Sequence, residues 1–387
     1  MNIVFDARVL ESSYKTGIAW YAHQLLHSLI AVRSPDQVHV LFNSLRRSSP
    51  DAHLPADKRV HVHIVKLPVV LVDAFNNRFW FDAFLPAKLE KIECDVFHGV
   101  DFAVPPAGSY GNIVTIHDLQ KFINPELMKS PGADWYWYWT KKSLHRATRV
   151  IVPSAFVRGS IEQHFPQYAG KVRVVHHGVD AKHFRPIVPE QITAFRRAHG
   201  LPEQYILFVG ALNRRKNIVV LIQAYARLKK AGRINCGLVL AGGLGHTSHD
   251  EIMKVIKDSG VRDSIMLYGY APQEDLPYLY NGASAFVFPS LHEGFGLPVL
   301  EAMACGVPVI ASAVTSLPEV VGDAGILFDP TSEEELAEAL HTVLTDTARA
   351  DALRARGFER IKQFTWEATA RKTMDVYREA VEEHAHA

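Results

Sequence analysis

Short runs of β-branched and aromatic residues alternate along this chain with longer amphipathic segments. A first series of apolar runs covers residues 3–5, 38–42, 60–65, 96–97, 113–116, 150–152 and 172–175. A second series covers residues 205–210, 238–241, 265–268, 285–288, 307–311 and 325–328. Strands that alternate with helices form βαβ units, so the pattern predicts an α/β fold with two doubly wound parallel sheets.

The break between the two series predicts a domain boundary. Residues 177–189 contain a glycine and two prolines and show no regular periodicity, and we place the boundary after residue 185. Helical patterns from Glu333 and over 366–383 close the chain. Open α/β sheets bind ligands at the carboxyl ends of their strands, so we expect a ligand cleft between the two sheets.

Composition narrows the class of protein only slightly. The 387 residues are 48% hydrophobic and 21% charged, as in a globular protein, and the net charge of +1 gives no reason to expect nucleic acid. Charge is uneven, since residues 1–185 hold 22 Lys and Arg against 16 Asp and Glu, and residues 186–387 hold 20 against 25. A basic first half suits a lipid-diphosphate acceptor or an anionic membrane surface, although a chance distribution explains it equally well.

Cysteine usage and hydropathy suggest a location in the cytoplasm. Cys94, Cys236 and Cys305 are too few and too scattered for a disulfide framework or a zinc site, and they fit a reducing compartment. No apolar stretch of about 18 residues occurs, so we expect no transmembrane helix. The first residues predict a strand and lack the features of a signal peptide.

The most informative motif is a pair of glutamates separated by seven residues, Glu293 and Glu301. Gly294 and Gly296 predict a loop whose backbone approaches a ligand closely, and Pro298 predicts the first turn of a helix. The N–H groups at a helix start bind anions, so one carboxylate lies before an anion site and one after it. A nucleotide sugar has this layout, with hydroxyl groups on both sides of a diphosphate.

Three consecutive basic residues, Arg214, Arg215 and Lys216, follow the first predicted strand of the second series. Their mutual repulsion is tolerable if an anion with two negative charges binds among them. A solvated basic turn is the alternative explanation.

The stretch from Glu293 to Glu301 resembles the E-x7-E motif of retaining glycosyltransferases with the GT-B fold, in particular family 4. The resemblance implies two Rossmann-like domains that face each other across a deep cleft. Residues 1–185 would form an acceptor-binding domain, completed by the C-terminal helix 366–387. Residues 186–365 would form a domain that binds the nucleotide sugar.

The resemblance also implies roles for individual residues. Glu293 would lie by the donor sugar, and Glu301 would bind the ribose hydroxyls. Arg215 and Lys216 would neutralise the donor diphosphate. Many relatives carry another Arg directly after the glycine, where this chain has Ala211, so Arg214 or Arg215 must supply the second cation.

Two further motifs resemble family features in the first domain. His117 follows a predicted strand, and the resemblance implies that it contacts the donor sugar or the acceptor, with Asp118 orienting it or acting directly. The candidate catalytic residues are therefore His117, Asp118 and Glu293. The remaining donor-binding candidates, by resemblance to the family's glycine loop, base-flanking segment and motif loop, are Gly17, Tyr270, Gly294, Phe295, Gly296 and Leu297.

The implied activity is transfer of a hexose, mannose or a deoxyhexose such as rhamnose, from a GDP-sugar to a lipid-linked or oligosaccharide acceptor for cell-surface polysaccharide. The chain has no Asp-x-Asp sequence to hold a metal ion, so we expect metal-independent transfer without a cofactor. The alternatives are a UDP-sugar-dependent transferase, a GT-B epimerase or phosphorylase, and a non-enzymatic nucleotide-sugar-binding scaffold subunit. We expect a cytoplasmic enzyme that makes peripheral contact with the inner membrane surface.

Two aromatic segments, 79–84 and 135–139, lie in the basic half. Packing in the core or between subunits is favoured for the first segment, and the second is compatible with membrane, glycan or core. His61 and His63 have metal-compatible spacing, but no third ligand is near them in sequence, so we interpret them as structural.

Overall fold

The computed structural model of the chain describes residues 1–11, 17–32, 34, 36–43, 54, 56–65, 80–124, 126, 133–243 and 249–385. The chain divides into two compact units, Met1–Gly178 with Trp366–Ala387, and Val179–Thr365. Each unit is built on one parallel sheet.

The strands, numbered along the chain, are β1 Asn2–Asp6, β2 Gln37–Asn43, β3 Val60–Val65, β4 Val96–Gly99, β5 Gly111–Thr115, β6 Arg149–Val152, β7 Val172–Val174, β8 Tyr205–Val209, β9 Gly237–Ala241, β10 Ile265–Gly269, β11 Ala285–Phe288, β12 Val309–Ser312 and β13 Gly325–Phe328. The strand order is β3-β2-β1-β4-β5-β6-β7 in the first unit and β10-β9-β8-β11-β12-β13 in the second. The strand order reverses between β1 and β4 in the first unit and between β8 and β11 in the second. Open α/β sheets bind ligands at this point of reversal.

The helices, numbered along the chain, are α1 Gly17–Ala31, α2 Leu85–Lys91, α3 Gln120–Ile123, α4 Ala133–Arg146, α5 Ala155–His164, α6 Pro189–His199, α7 Ile218–Lys230, α8 His249–Asp258, α9 Leu276–Asn281, α10 Leu297–Ala304, α11 Leu317–Val321, α12 Glu333–Thr345, α13 Thr347–Ile361 and α14 Trp366–Ala385. In the part of the chain that the structure describes, none of the helices combines the length and the apolar character that crossing a membrane requires.

Every predicted strand is present, with small shifts at the ends. Strand β12 begins at Val309 instead of the predicted Val307. The Val307 N–H donates to the Ala302 carbonyl at 3.0 Å and thereby caps the preceding helix, and Pro308 has no N–H to give to a ladder. Local capping therefore delays the strand by two residues.

The unit boundary lies between Gly178 and Val179, earlier than the predicted boundary after residue 185. Val179 forms a parallel bridge with Thr365, and its N–H donates to the Phe364 carbonyl at 2.9 Å. These contacts attach the start of the predicted linker to the second unit.

Helix α14 returns from the second unit and packs on the first sheet. The Tyr377 hydroxyl and His98 Nδ1 lie 2.7 Å apart, and both groups are fully buried. Glu379 accepts hydrogen bonds from Arg149 at 3.0 Å and from Arg173 at 2.9 Å. One neutral buried bond and one surface ion-pair network hold the helix in place.

Most of the two aromatic segments belongs to the core of the first unit. Trp80, Phe81 and Trp139 are buried, and the rings of Phe81 and Trp139 lie 4.9 Å apart. Phe79 falls outside the described residues. Trp137 differs from these, because 41% of it is exposed.

Sheet pairing places a third histidine next to His61 and His63, and no pattern in the sequence indicates this contact. Strand β2 pairs with β3 so that His39 faces His61, and His39 Nδ1 lies 2.9 Å from His63 Nε2. Among the described residues, however, no group of three or more His, Cys, Asp or Glu side chains has an arrangement that could hold a metal ion.

Candidate active site

The three basic residues after β8 form a single 3-10 turn, Arg214–Lys216, whose side chains point to different places. The Asn213 side chain accepts a hydrogen bond from the Lys216 N–H at 3.2 Å and caps the turn. The Arg214 side chain is 67% exposed and pairs with Glu251 at 2.8 Å, whereas Lys216 is buried. The cation that accompanies Lys216 is therefore Arg215.

The Glu293 carboxylate bridges both of these cations. Its Oε1 lies 2.6 Å from Lys216 Nζ, and its Oε2 lies 2.9 Å from Arg215 Nη1. The same Arg215 nitrogen donates to the His292 carbonyl at 2.9 Å. Strands β8 and β11 are neighbours at the point where the strand order reverses, so the loops that follow them meet.

The charge of Glu293 is set by these neighbours. Burial by itself raises the pKa of a carboxyl group, but Arg215 and Lys216 outweigh that effect and hold the pKa of Glu293 at about 2. The carboxylate is ionised at neutral pH.

The loop that carries Glu293 depends on a glycine and a serine. Gly296 has a φ of 118°, and a Cβ there would lie 2.8 Å from a Leu317 methyl carbon. The buried Ser316 hydroxyl lies 3.0 Å from the Glu293 carbonyl and 2.8 Å from the Phe295 carbonyl. The loop then leads directly into α10, whose second residue is Pro298.

Glu301 lies in the second turn of α10 and has a different environment. Its Oε2 accepts a hydrogen bond from the Tyr280 hydroxyl at 2.8 Å. Burial raises the pKa of Glu301 to about 7, and the Tyr280 hydrogen bond opposes the rise. The two glutamates of the motif therefore differ in charge state near neutral pH.

The other donor-binding candidates of the second unit lie near the same edge of the sheet. Gly294 and Phe295 are buried in the loop, and Leu297 is the first residue of α10. Tyr270 follows β10 and is 57% exposed.

In the first unit, the ring of His117 is oriented by a backbone carbonyl. His117 Nε2 lies 2.8 Å from the Val100 oxygen, and a carbonyl can only accept, so Nε2 carries the hydrogen and Nδ1 keeps its lone pair. Burial lowers the pKa of His117 to about 4, against the raising effects of the Val100 bond and Asp118. The ring is neutral at pH 7.

The Asp118 carboxylate hydrogen-bonds to groups other than His117, on which it acts through its charge. Its Oδ1 accepts from the Gln120 N–H at 3.2 Å and from the Tyr136 hydroxyl at 3.2 Å. The carboxylate therefore stabilises the turn into α3 and the neighbouring helix α4.

Gly17 is the first residue of α1 and is exposed, with open space where a Cβ would be. One turn later, Tyr21 contacts the edge of His117 with a ring separation of 4.8 Å. Helix α1 thus begins at Gly17 and contacts His117 through Tyr21. Thr16, the neighbouring residue of the glycine motif, lies outside the described residues.

Two family models match the chain in succession. Residues 15–183 match "Glycosyltransferase Family 4", and residues 191–360 match "Glycosyl transferases group 1". O-antigen chain mannosyltransferase B of Escherichia coli is 30% identical over 98% of this chain and 100% of its own length. The chain belongs to glycosyltransferase family 4.

Further similarities agree with this assignment. The serotype-specific mannosyltransferase WbdA of Escherichia coli is 36% identical over 182 residues, which make up 47% of this chain and 22% of WbdA. A solved sucrose-phosphate synthase from Thermosynechococcus elongatus has a TM-score of 0.77 and 25% identity, with 98% of each chain covered. The predicted GT-B fold and the predicted hexosyl-transferring enzyme class are confirmed.

Sequence reasoning missed several residues that shape the site of this glycosyltransferase. Thr315 and Ser316 follow β12, beside β11, and both bond to the backbone of the Glu293 loop. Inspection of the residues after every strand would have selected them. Tyr280 gives no signal, because a tyrosine in a short amphipathic helix is ordinarily a core residue.

The bridging role of Glu293 predicts a pH-dependent loss of stability in Glu293→Gln. The folded pKa of about 2 lies below the ordinary value of 4.5, so the stabilisation is complete above about pH 5 and disappears as the pH falls towards 2. We expect the free energy of unfolding at pH 7 to fall by about 3 kcal/mol. The difference from wild type should shrink below pH 4.5, as measured by urea unfolding across this range.

Glu251→Gln is the matched control, because Glu251 pairs with the exposed Arg214. An exposed pair contributes little, so this variant should unfold like the wild type at every pH. A loss in Glu293→Gln that does not vary with pH would contradict the assigned charge state.

Proposed function

We propose that this glycosyltransferase transfers mannose, or a deoxyhexose such as rhamnose, from a GDP-sugar to a lipid-linked or oligosaccharide acceptor in cell-surface polysaccharide biosynthesis. The observation that carries the proposal is the similarity to an O-antigen chain mannosyltransferase, which covers 98% of this chain and 100% of the relative. The second relative, the serotype-specific mannosyltransferase WbdA, supports the same sugar.

Arg215 and Lys216 bind the donor diphosphate in this proposal. Both cations lie where strand order reverses, beside the start of α10, and the positive charge that they supply does not require a metal ion. The Glu293 carboxylate contacts the same two cations that the phosphate oxygens would contact in this proposal. Donor binding therefore frees Glu293 to accept hydrogen bonds from the sugar hydroxyls.

The transfer retains the anomeric configuration. The bond between the anomeric carbon and the phosphate oxygen breaks while the acceptor oxygen approaches from the same face. The acceptor proton passes to the leaving phosphate oxygen, whose charge Arg215 and Lys216 stabilise. No side chain serves as a covalent nucleophile, and the neutral His117 offers the lone pair of Nδ1 to a hydroxyl group.

A transfer assay with purified GDP-mannose, GDP-rhamnose and UDP-glucose tests the proposal. With EDTA present and a mannose-terminated oligosaccharide acceptor, we expect transfer from a GDP-sugar and an α-linked product by NMR. Lys216→Ala should reduce the rate about 10²-fold, because one cation facing the leaving group is lost.

Arg214→Ala should retain the wild-type rate and serves as the matched control. Transfer from the UDP-sugar alone would overturn the donor assignment, and turnover without an acceptor would indicate an epimerase. Binding without turnover under all conditions would favour a scaffold role.

We also propose that the enzyme works at the cytoplasmic face of the membrane. Trp137, Lys141 and His145 are exposed along one stripe of α4, which we call the Trp137 face. Lys141 Nζ lies 3.2 Å from the centre of the Trp137 ring, and Lys171 reaches the His145 carbonyl at 3.3 Å. An exposed tryptophan beside a lysine suits the headgroup region of an anionic bilayer.

Vesicle sedimentation tests the Trp137 face. The wild type should bind vesicles that contain phosphatidylglycerol more tightly than pure phosphatidylcholine, and Lys141→Ala should weaken that binding about fivefold. Lys372→Ala removes another exposed lysine of the same unit and should have no effect. Equal binding by all three proteins would exclude the Trp137 face as the membrane contact.

A further inference from the structure

Tyr280 is a fully buried residue of α9 that the mechanism above does not use. Its ring lies 5.9 Å from Phe184 and 5.4 Å from Phe286, in edge-to-face contact with both. Burial and the nearby Glu301 carboxyl raise the pKa of the Tyr280 hydroxyl well above its ordinary value. The hydroxyl therefore keeps its hydrogen, and the packed ring fixes the direction in which it donates.

The hydrogen of Tyr280 goes to one oxygen of Glu301. The distance from the hydroxyl to Oε2 is 2.8 Å, and within the described residues no other protein group bonds to the Glu301 carboxyl group. Glu301 as a whole is partly buried, and the bond from Tyr280 leaves Oε1 able to accept from a ligand. One carboxylate oxygen is held by the protein, and the other is available as an acceptor.

We propose that Tyr280 is a positioning residue that holds Glu301 in the orientation needed to bind the ribose hydroxyls of the donor nucleotide. The inference rests on the proposed function, in which Glu301 binds ribose. A carboxylate that is not held can rotate, and each rotamer lost on binding reduces affinity. A hydrogen bond from Tyr280 also favours the ionised carboxylate, which is the form that accepts from two hydroxyl groups.

The test compares a nucleoside diphosphate with its analogue that lacks the ribose hydroxyls. Calorimetry on the full-length protein at pH 7 measures the dissociation constants of GDP and 2′,3′-dideoxy-GDP, with UDP and its dideoxy form in parallel. We expect Tyr280→Phe to bind GDP about tenfold more weakly, the equivalent of one hydrogen bond. Binding of the dideoxy analogue should change less than about twofold, because it makes no contact with Glu301.

The pH dependence gives a second readout that lost packing would not produce. Without the Tyr280 hydrogen bond the pKa of Glu301 rises from its value of about 7, so a larger share of Glu301 is protonated in the variant near neutral pH. The difference in GDP affinity between wild type and Tyr280→Phe should therefore be larger at pH 7 than at pH 9, where a larger share of both carboxyl groups is ionised.

Tyr225→Phe is the matched control. Tyr225 is also a buried tyrosine of the second unit, but its hydroxyl donates to the Cys236 carbonyl at 2.9 Å instead of to a candidate site residue. Thermal melts of both variants confirm folding. We expect Tyr225→Phe to keep the wild-type preference for GDP over the dideoxy analogue.

An unchanged preference in Tyr280→Phe, or an equal loss of affinity for both nucleotides, would overturn the positioning role while leaving the proposed function intact. Failure of the wild type to bind any of the four nucleotides would instead remove the proposed function, and the role of Tyr280 with it.

Discussion

The candidate active site depends on one carboxylate shared between two cations. Removing Glu293 from water would cost several kcal/mol if its charge were not compensated, and Arg215 and Lys216 would repel each other without it. The shared carboxylate removes both costs. It also joins the loops after β8 and β11, which a backbone hydrogen bond from Leu291 to the Arg215 carbonyl at 2.8 Å reinforces. This connection between the two loops holds the cations at the carboxyl ends of the strands.

Burial disfavours the charged form of every site group, and the partners of each group decide its charge state. Glu293 faces two cations and keeps its charge, whereas Glu301 faces a neutral hydroxyl and has a pKa of about 7. His117 meets a carbonyl and aromatic rings, so it is neutral. The second unit thus presents two cations and, in the helix after the Glu293 loop, a carboxyl group that can change its charge, which suits a diphosphate and a ribose.

Much of the fold was predictable from sequence, because β-branched runs between amphipathic segments define parallel strands with little ambiguity. The position of Glu293 beside Lys216 was also foreseeable, since both follow strands of one sheet. Contacts made by residues that belong to no sequence motif were not predictable. Tyr280 and the Val100 carbonyl acquire their roles only through packing. The boundary at Val179 depends on pairing with Thr365, which lies far away in sequence.

Arg215 and Lys216 form the donor diphosphate site in the proposed mechanism, a claim that GDP titration by calorimetry in EDTA can test. The wild type should bind GDP, Lys216→Ala should bind it at least about tenfold more weakly, and Arg214→Ala should match the wild type. An affinity that is unchanged in Lys216→Ala, or reduced equally in both variants, would contradict the claim.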